Sequence, residues 1–297
     1  MPNWNDLTNE IRTESNVFDK TRRKYLKLLS DKTHRNTIIY YSAFLQKGEL
    51  IQRGVRFGIE DSDKTGFMTA IHKLDRDKGL DLILHTPGGE VAATESLVNY
   101  LKSMFGNNIR AIIPQIAMSA GTMIACACKE IMMGKQSNLG PIDPQFGNLA
   151  AHGILEEFET AKTEIFKDQR NIALWQYVLS KYSPTLIGEC QKAITWSEKM
   201  VSEWLSDNML KDEPNKDKAN AIVKALSNHG ETYSHNRHLH AKYLKSLGLK
   251  IIDMEDDNEI QGLILSVHHA ATITMTNTPS IKIIENQNGV SFVTQVS

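Results

Sequence analysis

Three short runs between residues 81 and 134 constrain the fold most: DLILH, IRAIIPQI and EIMMG. In each the apolar residues are consecutive rather than alternating with polar ones, as in a strand with both faces covered. Helical patterns lie between them. EVAATESLVNYLKSMF (90–105) is amphipathic, and SAGTMIACAC opens a helix of small residues. Upstream, NTIIYYSAFL (36–45) reads as a further strand and TGFMTAIHKL (65–74) as a helix. This succession from 36 to 134 predicts an α/β fold with parallel strands and crossover helices.

The rest of the chain is organised differently. Residues 4–34 carry scattered apolar positions among charges and predict an amphipathic helical arm. After 149 the pattern is largely helical, and the charged, proline-broken KDEPNKDK (211–218) marks the best boundary. From 258 the chain reads as strand (IQGLILSVHHAATITM), and SIKIIENQNGVSFVTQ as a hairpin turning at Asn288-Gly289. The expected division is an arm at 1–35, a core at 36–212 and a C-terminal extension at 213–297 that packs on the core. A length of 297 residues suits either one large domain or two small ones.

Composition excludes some classes of function. A formal net charge of −1 gives no global field for nucleic acid or an anionic membrane. No apolar run reaches the roughly 18 residues of a spanning helix, and MPNWNDLTNEIRTES lacks a signal-peptide pattern. Three cysteines, Cys126, Cys128 and Cys190, do not pair evenly and read as buried thiols. A cytoplasmic location is expected.

Two turns carry the chemistry. HTPGGEV ends a buried strand, and its paired glycines, Gly88 and Gly89, permit positive φ and leave amide N–H groups unobstructed. Such donors at a helix start suit a developing oxyanion. In AMSAG, Ser119 stands between a strand and a helix, with the Ala120 N–H beside it. A tight turn and an N-cap serine explain each piece taken singly. Together, at the ends of neighbouring parallel strands, they fall where α/β proteins build sites.

LILHTPGGEVAATESLVNYL, IPQIAMSAGTMIACAC and LGPIDPQFG resemble the serine dehydrogenase proteinase family, related to signal peptide peptidase A and ClpP. HGETYSHNRHLHAKYLKSLGLKI (229–251) is similar to a later segment of that family, whereas the arm and residues 258–297 carry no resemblance. The resemblance implies a ClpP/crotonase-like spiral of ββα units with added helices, usually oligomeric. It implies a serine endopeptidase with Ser119 as nucleophile and Gly88, Gly89 and Ala120 at the oxyanion hole. It also implies no cofactor, a peptide or unfolded-protein substrate and a homo-oligomer. A crotonase-like acyl-CoA enzyme and a catalytically silent scaffold are the alternatives.

A serine hydroxyl needs a base. Where ClpP carries its histidine this chain has Asp143, which could orient a base but not serve as the ordinary one. Lysines serve signal-peptide-peptidase-like members, and Lys162 is the favoured counterpart, with Lys167 and His152 as alternatives. A lysine acts as base only where burial brings its pKa from about 10.4 toward 7–8. His235, in YSHNRHLH, is a further histidine that could approach. The cluster His235, His238 and His240 lacks clean metal-ligand spacing, so no metal is expected.

Overall fold

The computed structural model describes residues 17–147, 149–215, 217–228, 230 and 234–296. Residues 1–16 of the predicted arm lie outside these. The first half holds α1 (Val17–Thr33), β1 (Asn36–Ser42), α2 (Asp61–Ile71), β2 (Leu80–His85), α3 (Val91–Phe105), β3 (Ile109–Ile113), β4 (Ile116–Ala117), α4 (Ala120–Ala127), β5 (Glu130–Met133) and β6 (Asn138–Leu139). There follow β7 (Gln145–Phe146), β8 (Leu149–Ala150), α5 (Ala151–Lys167), α6 (Ile172–Leu179), α7 (Leu186–Trp204) and α8 (Lys218–Ser227). The chain ends with β9 (Leu239–His240), α9 (Ala241–Leu247), β10 (Ile251–Asp253), α10 (Asn258–Asn277), β11 (Ser280–Asn286) and β12 (Ser291–Gln295).

Among the described residues the central sheet runs β10-β5-β3-β2-β1-β11-β12. β10, β5, β3, β2 and β1 are parallel, and β11 and β12 add antiparallel strands at one edge. Alternate side chains enter separate cores, as a period of two requires. Ile38, Tyr40, Leu82, Leu84, Ala111 and Ile131 face α2, α3, α4 and α7. Ile39, Tyr41, Ile83, Ile112 and Met132 face α1 and α10. This is why the runs read as continuously apolar. Cys126 and Cys128 are buried in the first core, where burial pushes both thiols up to about 12. Neither is ionised at neutral pH.

Three expectations change. The segment from 258 is a helix, not a strand. Asp257 caps it, its side chain accepting from the Glu259 and Ile260 N–H groups at 2.9 and 3.0 Å. Gly262, Ser266, Ala270 and Thr274, four apart, form a buried small-residue face. Second, the N-terminal helix is no separate arm. Tyr25, Leu26 and Leu29 enter the second core, and buried Arg22 bridges to buried Glu285 on β11. Glu285 also accepts from Arg23 at 2.7 Å, and Arg22 also pairs with Asp19 at 2.8 Å, so the bridge is one part of a larger ionic network. Third, residues 213–297 do not merely pack on the core, since they supply β10, β11 and β12 to its sheet. The Asn288-Gly289 hairpin is present as expected, with Gly289 at φ 77°.

One buried feature makes stability depend on pH. His85 closes β2 against Tyr41, Phe44 and His268, and among the described residues neither ring nitrogen has a hydrogen-bond partner. Burial lowers its pKa to about 4 from the ordinary 6.5. His268, whose Nδ1 meets the Tyr41 hydroxyl at 3.0 Å, is also held well below the ordinary value, by burial and then by its histidine neighbours. The unfolded chain therefore binds protons that the folded one refuses. The contribution is complete above about pH 6.5 and is lost as pH falls toward 4. Denaturant unfolding should show His85 alone costing about 1.6 kcal/mol between pH 6.5 and pH 5. His85→Phe should flatten that slope, and an unchanged slope would refute the assignment.

Candidate active site

Two crossover turns meet at the C-terminal edge of the parallel strands. The Thr86 N–H donates to the Ile116 carbonyl at 3.3 Å and the Met118 N–H to the Thr86 carbonyl at 3.0 Å. These bonds tie the glycine turn after β2 to the serine turn after β4. The fit depends on glycine: a Cβ on Gly88, at φ 107°, would lie 2.7 Å from the Ser119 Cβ. Ser119 itself has φ 49° and ψ −114°, one of few non-glycine residues at positive φ. Such a conformation costs on the order of 1–3 kcal/mol, and it lifts the half-buried hydroxyl to the head of α4.

The same turns supply amide donors. The Ile59 N–H donates to the Gly88 carbonyl at 2.7 Å, and the Glu90 N–H to the Ile59 carbonyl at 2.9 Å. Gly89 lies between these two bonds, so its own N–H points away from Ile59. The Gly88 N–H is directed to the Thr86 hydroxyl at 3.2 Å. Among the described residues, neither the Gly89 nor the Ala120 N–H has an internal acceptor. Gly89 and Ala120 are thus the free donors of the predicted trio. Any side chain at 89 would displace backbone, since its Cβ would lie 2.1 Å from the Ile59 nitrogen.

A second pair of residues comes from distant sequence. β6 pairs in parallel with β4, beside the serine turn, and antiparallel with β9, Leu139 opposite Leu239. Continuing that antiparallel register by four residues brings position 143 opposite position 235. The His235 Nδ1 lies 2.8 Å from the Asp143 Oδ1. Asp143 is fully buried, and its other oxygen accepts from Gln145 Nε2 at 2.8 Å. Its loop is tied to α4 through Thr122, whose hydroxyl donates to the Gly140 carbonyl at 2.9 Å. An ionised carboxylate only accepts, so Nδ1 carries the proton and Nε2 is left as an acceptor. His235 and Ser119 line one cleft of about 940 Å³, whose apolar walls include Phe44, Val55, Phe57, Met123 and Phe146.

A sequence model of the family described as "ClpP-like SDH-type serine proteinase" matches residues 13–284. The chain belongs to this family. The match reaches past the dense resemblance at 81–147 to include α1 and α10, which sequence reading left outside. Two uncharacterized proteins of Methanocaldococcus jannaschii are similar, 36% and 33% identical over 193 residues. Those residues are 65% of this chain and 58% and 59% of the relatives, so it spans under two thirds of their length.

For this ClpP-like chain the structure separates the predicted bases from the predicted nucleophile. Lys162 projects from α5 with 62% of its side chain exposed and pairs with Glu159 at 2.8 Å. Burial, the condition for its acting as a base, is not met. Lys167 is exposed at the end of α5, and His152 lies at its start; neither lines the cleft. Of the histidine cluster, His238 and His240 are exposed while His235 turns to the cleft. Sequence reading noted His235 and the orienting capacity of Asp143 without joining them. The joining signal is the β6–β9 pairing, which two-residue strands barely register in sequence.

Proposed function

We propose that the chain is a serine endopeptidase in which Ser119 attacks, His235 is the general base and Asp143 orients it. The observation that carries this reading is the cleft shared by Ser119 and an imidazole hydrogen-bonded to a fully buried carboxylate. His235 Nε2 takes the Ser119 proton as Oγ adds to the scissile carbonyl. The oxyanion receives the Gly89 and Ala120 N–H groups, each such donor lowering the barrier by about 2.7–4 kcal/mol. The imidazolium then protonates the leaving amine, and water cleaves the acyl-serine by the reverse sequence. No cofactor enters these steps. A fluorophosphonate probe should label the native protein at Ser119, mapped by mass spectrometry, and labelling should vanish on denaturation. Labelling elsewhere alone would remove Ser119 from the reading.

The strand–turn–helix succession supports a ClpP/crotonase-like spiral, and the cleft's size and apolar walls support peptides or unfolded chains as substrates. A homo-oligomer, in a cytoplasmic setting, completes the proposal. It draws support from Phe166, Leu174 and Tyr177, which present large exposed apolar surface on α5 and α6. Light scattering should give a mass of at least two chains, and a monomer at micromolar concentration would defeat it. Among the described residues no helix is long and apolar enough to cross a membrane.

A further inference from the structure

His235 is a wall between two cavities. With Gln145 and Gly147 it lines both the cleft that holds Ser119 and an adjoining cavity of about 580 Å³. Ser119 does not line the second cavity, and neither do the amides of Gly89 and Ala120. Ile154 and Glu157 of α5, Tyr182 and Ser234 also line it. Its character differs from that of the cleft. Glu157 is the one carboxylate among its described lining residues, and Tyr182 donates its hydroxyl to Glu157 Oε2. That bond, chiefly, raises the Tyr182 pKa, so the phenol stays protonated as a donor beside a carboxylate. The bond fixes the carboxylate and leaves Oε1 open to a second donor.

Chemistry assigns a direction to this arrangement. In acyl transfer the base that removes the nucleophile's proton returns it to the departing nitrogen. The leaving half of the substrate therefore lies on the histidine's side of the scissile bond. The acyl half stays with the serine and the oxyanion donors. A cavity walled by His235 but not by Ser119 is placed to take the leaving half. We infer that Glu157 selects a basic side chain, lysine or arginine, within the first two residues after the scissile bond. This inference rests on the reading of Ser119 and His235 as nucleophile and base.

The test uses the full-length protein and two quenched fluorescent peptides. They are identical except for lysine or norleucine at the first two positions after the scissile bond. The wild type should favour the lysine peptide in kcat/KM by about tenfold, or about 1.4 kcal/mol. The preference should shrink with added salt as charges are screened. In Glu157→Gln the lysine/norleucine ratio should fall to near one. Calorimetry on the Ser119→Ala protein supplies a reading that needs no turnover: the lysine form of the leaving product should bind about tenfold tighter than the norleucine form, and Glu157→Gln should erase the difference. A ratio unchanged by Glu157→Gln in either measurement overturns the proposal, as does a loss shared equally by both peptides. Hydrolysis that continues undiminished in Ser119→Ala overturns instead the reading beneath it, while the calorimetric comparison still decides the role of Glu157.

Discussion

Ser119→Ala is expected to lower peptide hydrolysis by roughly 10⁴-fold or more, with the fold intact. The substitution removes one oxygen from a turn whose Cβ is already accommodated at φ 49°. The bonds that hold the turn are backbone bonds between Thr86 and residues 116–118, and none uses the hydroxyl. Ser119 makes no side-chain cap to α4, so the helix loses nothing. Residual rate would come from the Gly89 and Ala120 donors acting on bound substrate attacked by water. The measurement is kcat on a quenched peptide, beside a thermal unfolding curve. An undiminished kcat in a folded variant would make the strained turn structural only.

The turn at Ser119 is legible in sequence because its determinants are local. Continuous apolar runs give parallel strands, and glycine pairs or small residues after them give crossover turns. The His235–Asp143 pair is not legible, because its members are 92 residues apart and meet through two-residue strands. Neither β6 nor β9 is long enough to show a period. Spacing and resemblance point to Lys162, but neither reports whether an amine is buried. The misreading of α10 has a different cause. Its Ile, Val and Thr residues favour strands as isolated residues, yet the Asp257 cap and the four-residue repeat of small side chains prevail once α1 and the sheet are there to receive them. In each case a contact formed at long range outweighs the local signal.

The base assignment yields the second large effect. His235→Gln should lower kcat by an amount comparable to Ser119→Ala, because an amide cannot accept and return the serine proton. Asp143→Asn should cost roughly 10⁴-fold with little change in packing. An asparagine can present its NH₂ to Nδ1, which then becomes the acceptor and turns the proton onto Nε2, where it blocks attack. Because the three groups act as a unit, a double variant of Ser119 and His235 should be no slower than the worse single variant. Lys162→Met should retain most activity, since it removes only an exposed pair with Glu159, worth at most about 1 kcal/mol. The decisive comparison is Lys162→Met against His235→Gln on one peptide at one pH. An inactive, folded Lys162→Met beside an active His235→Gln would return the role of base to the lysine. It would also require α5 to be carried to Ser119 by a rearrangement or by a neighbouring copy of the chain.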